Sequence, residues 1–166
     1  MLNTMIVMGV DPGFLRTGYG LIESEGWKLL DCGIWKVQRN MLPQGIQSVY
    51  QQAKETLRTY KPQILAIEEP FLSKNPRLAL DIGKIVGSLT LAGLEENCRV
   101  ETYSIPSIKE AVTGYGRANK EQVREMVKRI LHIQELPSHL DISDALSVAI
   151  CCVFNHQWRE AIDRVS

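Results

Sequence analysis

Four carboxylates fall where one kind of chain element should give way to another. Asp11 closes the apolar run from Met5 to Val10 and precedes Pro12-Gly13. Glu68 closes a second apolar run that starts at Ile64, and Asp141 and Asp144 open the stretch from Leu140 to Asn155. Residues three apart share one face of a helix, so Asp141 and Asp144 lie together on its first turn. Two like charges about 4 Å apart repel by roughly 4 kcal/mol at an effective dielectric of 20. Divalent cations convert that repulsion into binding. Hard oxygen ligands suit Mg²⁺, which keeps waters and bridges to phosphate. A pair of such ions roughly 3.5–4 Å apart can activate a water and stabilise the leaving oxygen of a phosphodiester. The chemistry expected is therefore two-metal phosphodiester hydrolysis with Mg²⁺, and Mn²⁺ as the alternative ion. Taken singly, the residues have ordinary explanations. Asp before Pro-Gly is a common turn residue, and acids at a helix start complement its dipole. Glu68 resists that treatment, because a carboxylate directly after a buried strand is costly unless paired. Glu69 beside it points the other way and reads as a solvated turn residue.

The elements that must position these groups follow from periodicity. Met5 to Val10 reads as a buried strand, and Tyr19 to Ser24 and Lys28 to Val37 as two more, joined at Glu25-Gly26 as a meander. Gly45 to Tyr60 has helical spacing, with Ile46, Val49, Ala53 and Leu57 on one face. A strand from Ile64 to Glu68 precedes a long helix from Pro76 to Glu96, and Arg99 to Tyr103 is a short strand. Helices over Ser107 to Val112 and Asn119 to Leu131 flank the loop Thr113 to Ala118, and a last helix covers Leu140 to Asn155. This order predicts an α/β domain with a mixed five-stranded sheet and helices on both faces. The domain should span residues 1–155, with 156–166 as a short tail. If the first and fourth strands are neighbours, Asp11 and Glu68 sit side by side at the carboxyl edge, where ligands of open α/β sheets gather.

Composition narrows the function classes. The 166 residues make one domain, and 45% hydrophobic content suffices for a core. No apolar run approaches the roughly 18 residues of a membrane span. The first ten residues lead straight into Asp-Pro-Gly, which reads as a strand and not a leader. Four cysteines without a CxxC pair point to small core residues in a reducing, cytoplasmic setting. Nineteen basic residues balance nineteen acidic ones, so net charge alone does not mark a nucleic-acid binder. Between Ile105 and Ile130, however, Lys109, Arg117, Lys120, Arg124, Lys128 and Arg129 outnumber Glu110, Glu121 and Glu125. That local excess suits either a binding face or a helix surface of paired charges.

These residues stand in blocks that resemble a known family. Gly9-Val10-Asp11-Pro12-Gly13 followed by Thr17-Gly18-Tyr19-Gly20 is similar to the opening of the RuvC Holliday junction resolvases. So are Ala66-Ile67-Glu68 with Phe71 and Lys74-Asn75-Pro76, the run from Lys109 to Val123, and Asp141-Ile142-Ser143-Asp144-Ala145-Leu146. The resemblance runs from Met5 to about Cys152. It implies an RNase H-like fold and a homodimeric, metal-dependent endonuclease that resolves four-way junction DNA by paired nicks in recombination and repair. A branch-migration motor is the further partner it suggests. It makes Asp11, Glu68, Asp141 and Asp144 the metal ligands and places Lys109 and Lys120 near the scissile phosphate or the backbone. It puts Phe71, Lys74 and Arg117 against DNA, with Phe71 stacking on an opened base.

Two symmetric nicks need two sites, hence a self-complementary interface. In the long helix, Leu78, Ile82, Ile85 and Leu89 are spaced four, three and four. Gly83 and Gly87 would let two backbones approach, which makes this stripe, with Gly87, the expected dimer seam. The chain departs from the family at Lys84-Ile85-Val86, where Gln-Ala-Arg is common, at Glu69-Pro70, and at Cys152, where histidine is frequent. The rival readings are an RNA-directed nuclease of the YqgF type, an actin-like ATPase fragment and an inactive junction binder. The first lacks the full block from Thr113 to Val123. The second needs another phosphate loop, and the third gains nothing from keeping four acids near phosphates.

Overall fold

In a computed structural model, described over residues 4–37, 42–69 and 75–164, a five-stranded sheet carries helices on both faces. Its strands are β1 (Ile6–Asp11), β2 (Arg16–Glu23), β3 (Lys28–Lys36), β4 (Ile64–Glu68) and β5 (Arg99–Tyr103), in the order β3-β2-β1-β4-β5. β1, β2 and β3 pair antiparallel, and β4 and β5 continue parallel from β1. The mixed sheet expected from the sequence is the sheet observed.

The helices are α1 (Leu42–Tyr60), α2 (Pro76–Glu95), α3 (Ile105–Thr113), α4 (Lys120–Ile130) and α5 (Leu140–Asp163). Local chemistry sets most of their ends. The Asn75 side chain accepts from the backbone N–H groups of Arg77 and Leu78, ahead of Pro76 at the first helical position. Ser104 caps α3, and Gly114 ends it in the left-handed conformation at φ 74°. Asn119 and Gln122 form a reciprocal capping box on α4. α5 runs eight residues beyond the expected stop at Asn155, so residues 156–163 of the expected tail continue the helix. Asn155 does not break the ladder because its side chain turns back to the carbonyl of Cys151, 2.8 Å away.

Two apolar layers sandwich the sheet. One face packs Val7, Ile22, Ile64 and Ala66 against α3, α4 and α5. The other packs Met8, Val10, Leu21, Leu65 and Ile67 against α1 and α2. This second layer corrects the expected dimer seam. Ile85 and Leu89 are fully buried in the chain's own core, so they cannot meet a second subunit. Leu78 and Ile82 are half-buried on the same side, and only Gly87 of the expected set is exposed. A helix with apolar residues on two faces allowed the choice of the wrong one. The outward row of α2 is Leu80, Leu91 and Leu94, at 68%, 51% and 59% exposure, with Gly83 and Gly87 between them and open space above both glycines.

A candidate acidic metal centre

The register of the sheet brings the first two acids together. Val10 pairs with Ile67 across the parallel β1–β4 ladder, so Asp11 and Glu68, one residue on, end adjacent strands. Side chains alternate along a strand, so Asp11 shares a face with Val7 and Glu68 with Ala66. Both of those residues belong to the layer covered by α5. α5 therefore delivers Asp141 and Asp144, in its first turns, to the face onto which Asp11 and Glu68 point.

Glycines make that delivery close. A Cβ on Gly9 would lie 2.1 Å from the carbonyl oxygen of Ala145, and one on Gly18 would lie 2.1 Å from that of Asp141. A Cβ on Gly20 would instead meet the side chain of Leu146, 2.4 Å from its Cδ2. α5 lies almost backbone on backbone across β1 and β2, and no residue larger than glycine fits under it. The glycines of the opening motif thus form the bed of the helix that carries half of the acids.

Asp11, Glu68 and Asp144 line one cavity of about 270 Å³ together with Lys109, Lys120 and Ser147. Asp141 does not line this cavity, but it is close enough for its charge to act on Asp11. Burial raises the pKa of Asp11, and the charges of Glu68, Asp144 and Asp141 raise it further, against the opposing pull of Lys120. Glu68 is raised by burial and by Asp144, with Lys120 and Lys109 opposing. Two cations take up part of the excess charge. Lys120 Nζ lies 2.8 Å from Asp144 Oδ2, and Arg16 Nε lies 2.9 Å from Asp141 Oδ2. The Asp144 contact raises the pKa of Lys120. A cavity of this size lined by hard oxygen donors that repel one another has the character of a site for hydrated divalent cations.

The basic segment divides by role. Lys109 on α3 and Lys120 at the start of α4 reach the cavity, and Arg117 is exposed in the turn between the two helices. Arg124 instead donates to the carbonyls of Leu136 and Pro137, tying α4 to the loop before α5. Lys128 pairs with Glu125. Phe71 and Lys74 lie outside the described residues. Two residues at the site were not foreseen from the sequence. Ser147 lines the cavity one turn after Asp144, where its spacing could have exposed it. Arg16 opens β2 opposite the end of β1, a position that only the hairpin register makes visible.

Comparison with known proteins identifies the chain's relatives. The family model described as crossover junction endodeoxyribonuclease RuvC matches residues 7–152. A protein of that description from Pelotomaculum thermopropionicum is 38% identical over 161 residues, spanning 95% of this chain and 98% of its own. Another, from Polynucleobacter asymbioticus, is 41% identical over 93% of this chain and 92% of its own. The solved Thermus thermophilus RuvC structure superposes with a TM-score of 0.84 at 29% identity, covering 92% of this chain and 96% of that one. The same protein in complex with a Holliday junction substrate gives 0.83 at 26% identity over the same shares of the two chains.

Proposed function

This chain belongs to the RuvC family of crossover junction endodeoxyribonucleases, and from that premise we propose that it resolves four-way junction DNA by metal-dependent phosphodiester hydrolysis. The observation that carries the reading is the convergence of Asp11, Glu68 and Asp144 on one cavity that Lys109 and Lys120 also enter. The four carboxylates would hold two Mg²⁺ ions, which supply an activated water and neutralise charge on the leaving 3′ oxygen. The chain's own groups have distinct tasks. Asp11 and Glu68, rooted in adjacent strands, fix the floor of the site. Asp144 and Asp141 close it from α5. Lys109 and Lys120 counter the charge of the scissile phosphate, and Lys120 leaves Asp144 when it does so.

A wider groove of about 590 Å³ adjoins the site at Arg16 and is lined by Leu15, Ile34, Lys36 and His139. Its cations suit the path of a DNA backbone leaving the cavity. Paired nicks require two copies, and the outward row Leu80, Gly83, Gly87, Leu91 and Leu94 of α2 offers an apolar, close-approach surface for a second copy of this chain. Recombination and repair are the processes in which such a substrate arises, and a branch-migration motor is a fitting partner.

The deciding experiment is nicking of a synthetic four-way junction against a linear duplex of the same sequence, with Mg²⁺ and with chelator. Paired nicks confined to the junction, dependent on metal and absent in Asp11→Asn, support the reading. Equal cutting of the linear duplex, or cutting that survives chelation, overturns it.

A further inference from the structure

A second set of metal-ligating side chains lies at the other end of α5. Glu101 on β5 and Cys152 and His156 on α5 bring a carboxylate oxygen, a thiol sulfur and an imidazole nitrogen within 4.8 Å of one another. His156 follows Cys152 by four residues, which sets both on one face of the helix. His156 Nε2 lies 3.0 Å from Glu101 Oε1. Twelve residues of helix separate His156 from Asp144, or about 18 Å at 1.5 Å per residue, so this set is distinct from the acidic centre.

We propose that Glu101, Cys152 and His156 form a transition-metal site that takes Zn²⁺. The donor set is the mixed oxygen, sulfur and nitrogen type that zinc accepts, and three protein ligands leave a fourth position for water. Hard ions such as Mg²⁺ take oxygen ligands and have no use for the thiolate. The groups that would hold the ligands in place are also present. Arg99 Nε lies 2.7 Å from Glu101 Oε1, and the Tyr103 hydroxyl donates to Glu101 Oε2 at 2.5 Å. Ligating carboxylates are commonly oriented by such outer hydrogen bonds. The same hydroxyl lies beside the Cys152 thiol, so the tyrosine packs against two of the three ligands. Cys152 is fully buried, and Glu101 and His156 are partly open, which leaves the route for the ion on their side.

Binding forms a sulfur–zinc bond and breaks the S–H bond of Cys152, whose proton passes to solvent. Burial holds this thiol up at about 12 in the metal-free chain, so the ion supplies the charge that makes the thiolate stable there. His156 binds through the Nε2 lone pair with its proton on Nδ1, in place of its present contact with Glu101. The ion would clamp the second half of α5 to the edge strand β5.

Co²⁺ is the probe, because it occupies zinc sites and its thiolate bond absorbs in the near ultraviolet. Titration of chelator-treated, full-length protein with Co²⁺ alone should give a charge-transfer band that saturates at one ion per chain, and one equivalent of Zn²⁺ should remove it. Cys152→Ser and His156→Ala should each lose the band or weaken Co²⁺ affinity at least tenfold, with the far-ultraviolet dichroism of the wild type. Asp11→Asn and Asp144→Asn should keep it. Zn²⁺ should raise the unfolding midpoint of the wild type and leave that of His156→Ala unchanged. No band in the wild type, or a band that survives Cys152→Ser, overturns the proposal and leaves the three residues as a polar network only. Loss of the band in Asp11→Asn equally overturns it, because the sulfur-bearing set would then not stand apart from the acidic centre.

Discussion

The two faces of the sheet are built by opposite means. On the α1/α2 face, Met8, Val10, Leu21 and Ile67 hold the helices off with large side chains. On the α5 face, Gly9 and Gly18 remove side chains so that the helix backbone touches the strands, and Gly20 makes room for the side chain of Leu146. A layer of large side chains tolerates small shifts, because its residues can repack. A helix seated on bare backbone cannot shift at all without a clash. The difference assigns stability to one face and the placement of the acids to the other, and substitutions on the two faces should separate these properties.

The largest effect belongs to the acids. Asp11→Asn, Glu68→Gln or Asp144→Asn removes an oxygen charge from the cavity and should cost several kcal/mol of transition-state stabilisation, on the order of a thousandfold or more in single-turnover nicking. Gel-shift affinity for a junction should persist, since phosphate contacts strengthen as negative charge leaves. A variant that nicks at the wild-type rate takes its residue out of the site.

Gly18→Ala tests the seating of α5. The added methyl meets the carbonyl of Asp141, so the first turn of the helix must lift. A displacement near 1 Å can cost about 10²-fold in rate. Nicking should therefore fall by more than any loss of stability measured by urea unfolding explains. If rate and stability decline together, the bed of glycines serves packing alone.

Leu89→Ala should give the reverse pattern. Leu89 is fully buried against the far face, and its truncation should cost about 2–5 kcal/mol of stability while leaving the nicking rate of the folded fraction intact. Selective loss of rate would show that the far face also positions the acids. Ile85→Asp at the neighbouring core position should unfold the chain and not yield a folded monomer.

A pH series sharpens the contrast further. Asp11 is held up at about 8 and Glu68 at about 7, both above their values in an unfolded chain. Between the ordinary carboxylate range and about pH 8, the metal-free folded protein therefore keeps protons that the unfolded chain has released. Stability from this source is fully present at low pH and is lost as pH rises through that window. The midpoint of chelator-treated protein should fall from about pH 5 to about pH 8, and Asp11→Asn should flatten the decline, whereas Leu89→Ala should leave its slope unchanged. An identical slope in Asp11→Asn would place the titrating groups elsewhere. The smallest effect is that of Gly83→Ala, where the new methyl meets open space in a helix. It should stabilise the chain by about 1 kcal/mol without altering its core.

The sequence by itself determined the order of the elements and the identity of the four acids. Unbroken apolar runs ending in Asp11 and Glu68, and a helical run opening on Asp141 and Asp144, are local patterns that need no partner to be read. It also carried Lys109 and Lys120, through the block that resembles the family. Only the tertiary structure decided which face of α2 is buried, because Ile85 and Leu80 lie on two apolar stripes and just one can meet the sheet. Only the register of β1 and β2 set Arg16 beside Asp141, and only the crossing of α5 over three glycines explained why those glycines stand where they do. Periodicity is a property of one segment, whereas the choice between faces, an ion pair across 125 residues and the contact of two backbones are properties of packing, fixed when separate segments exclude water from each other.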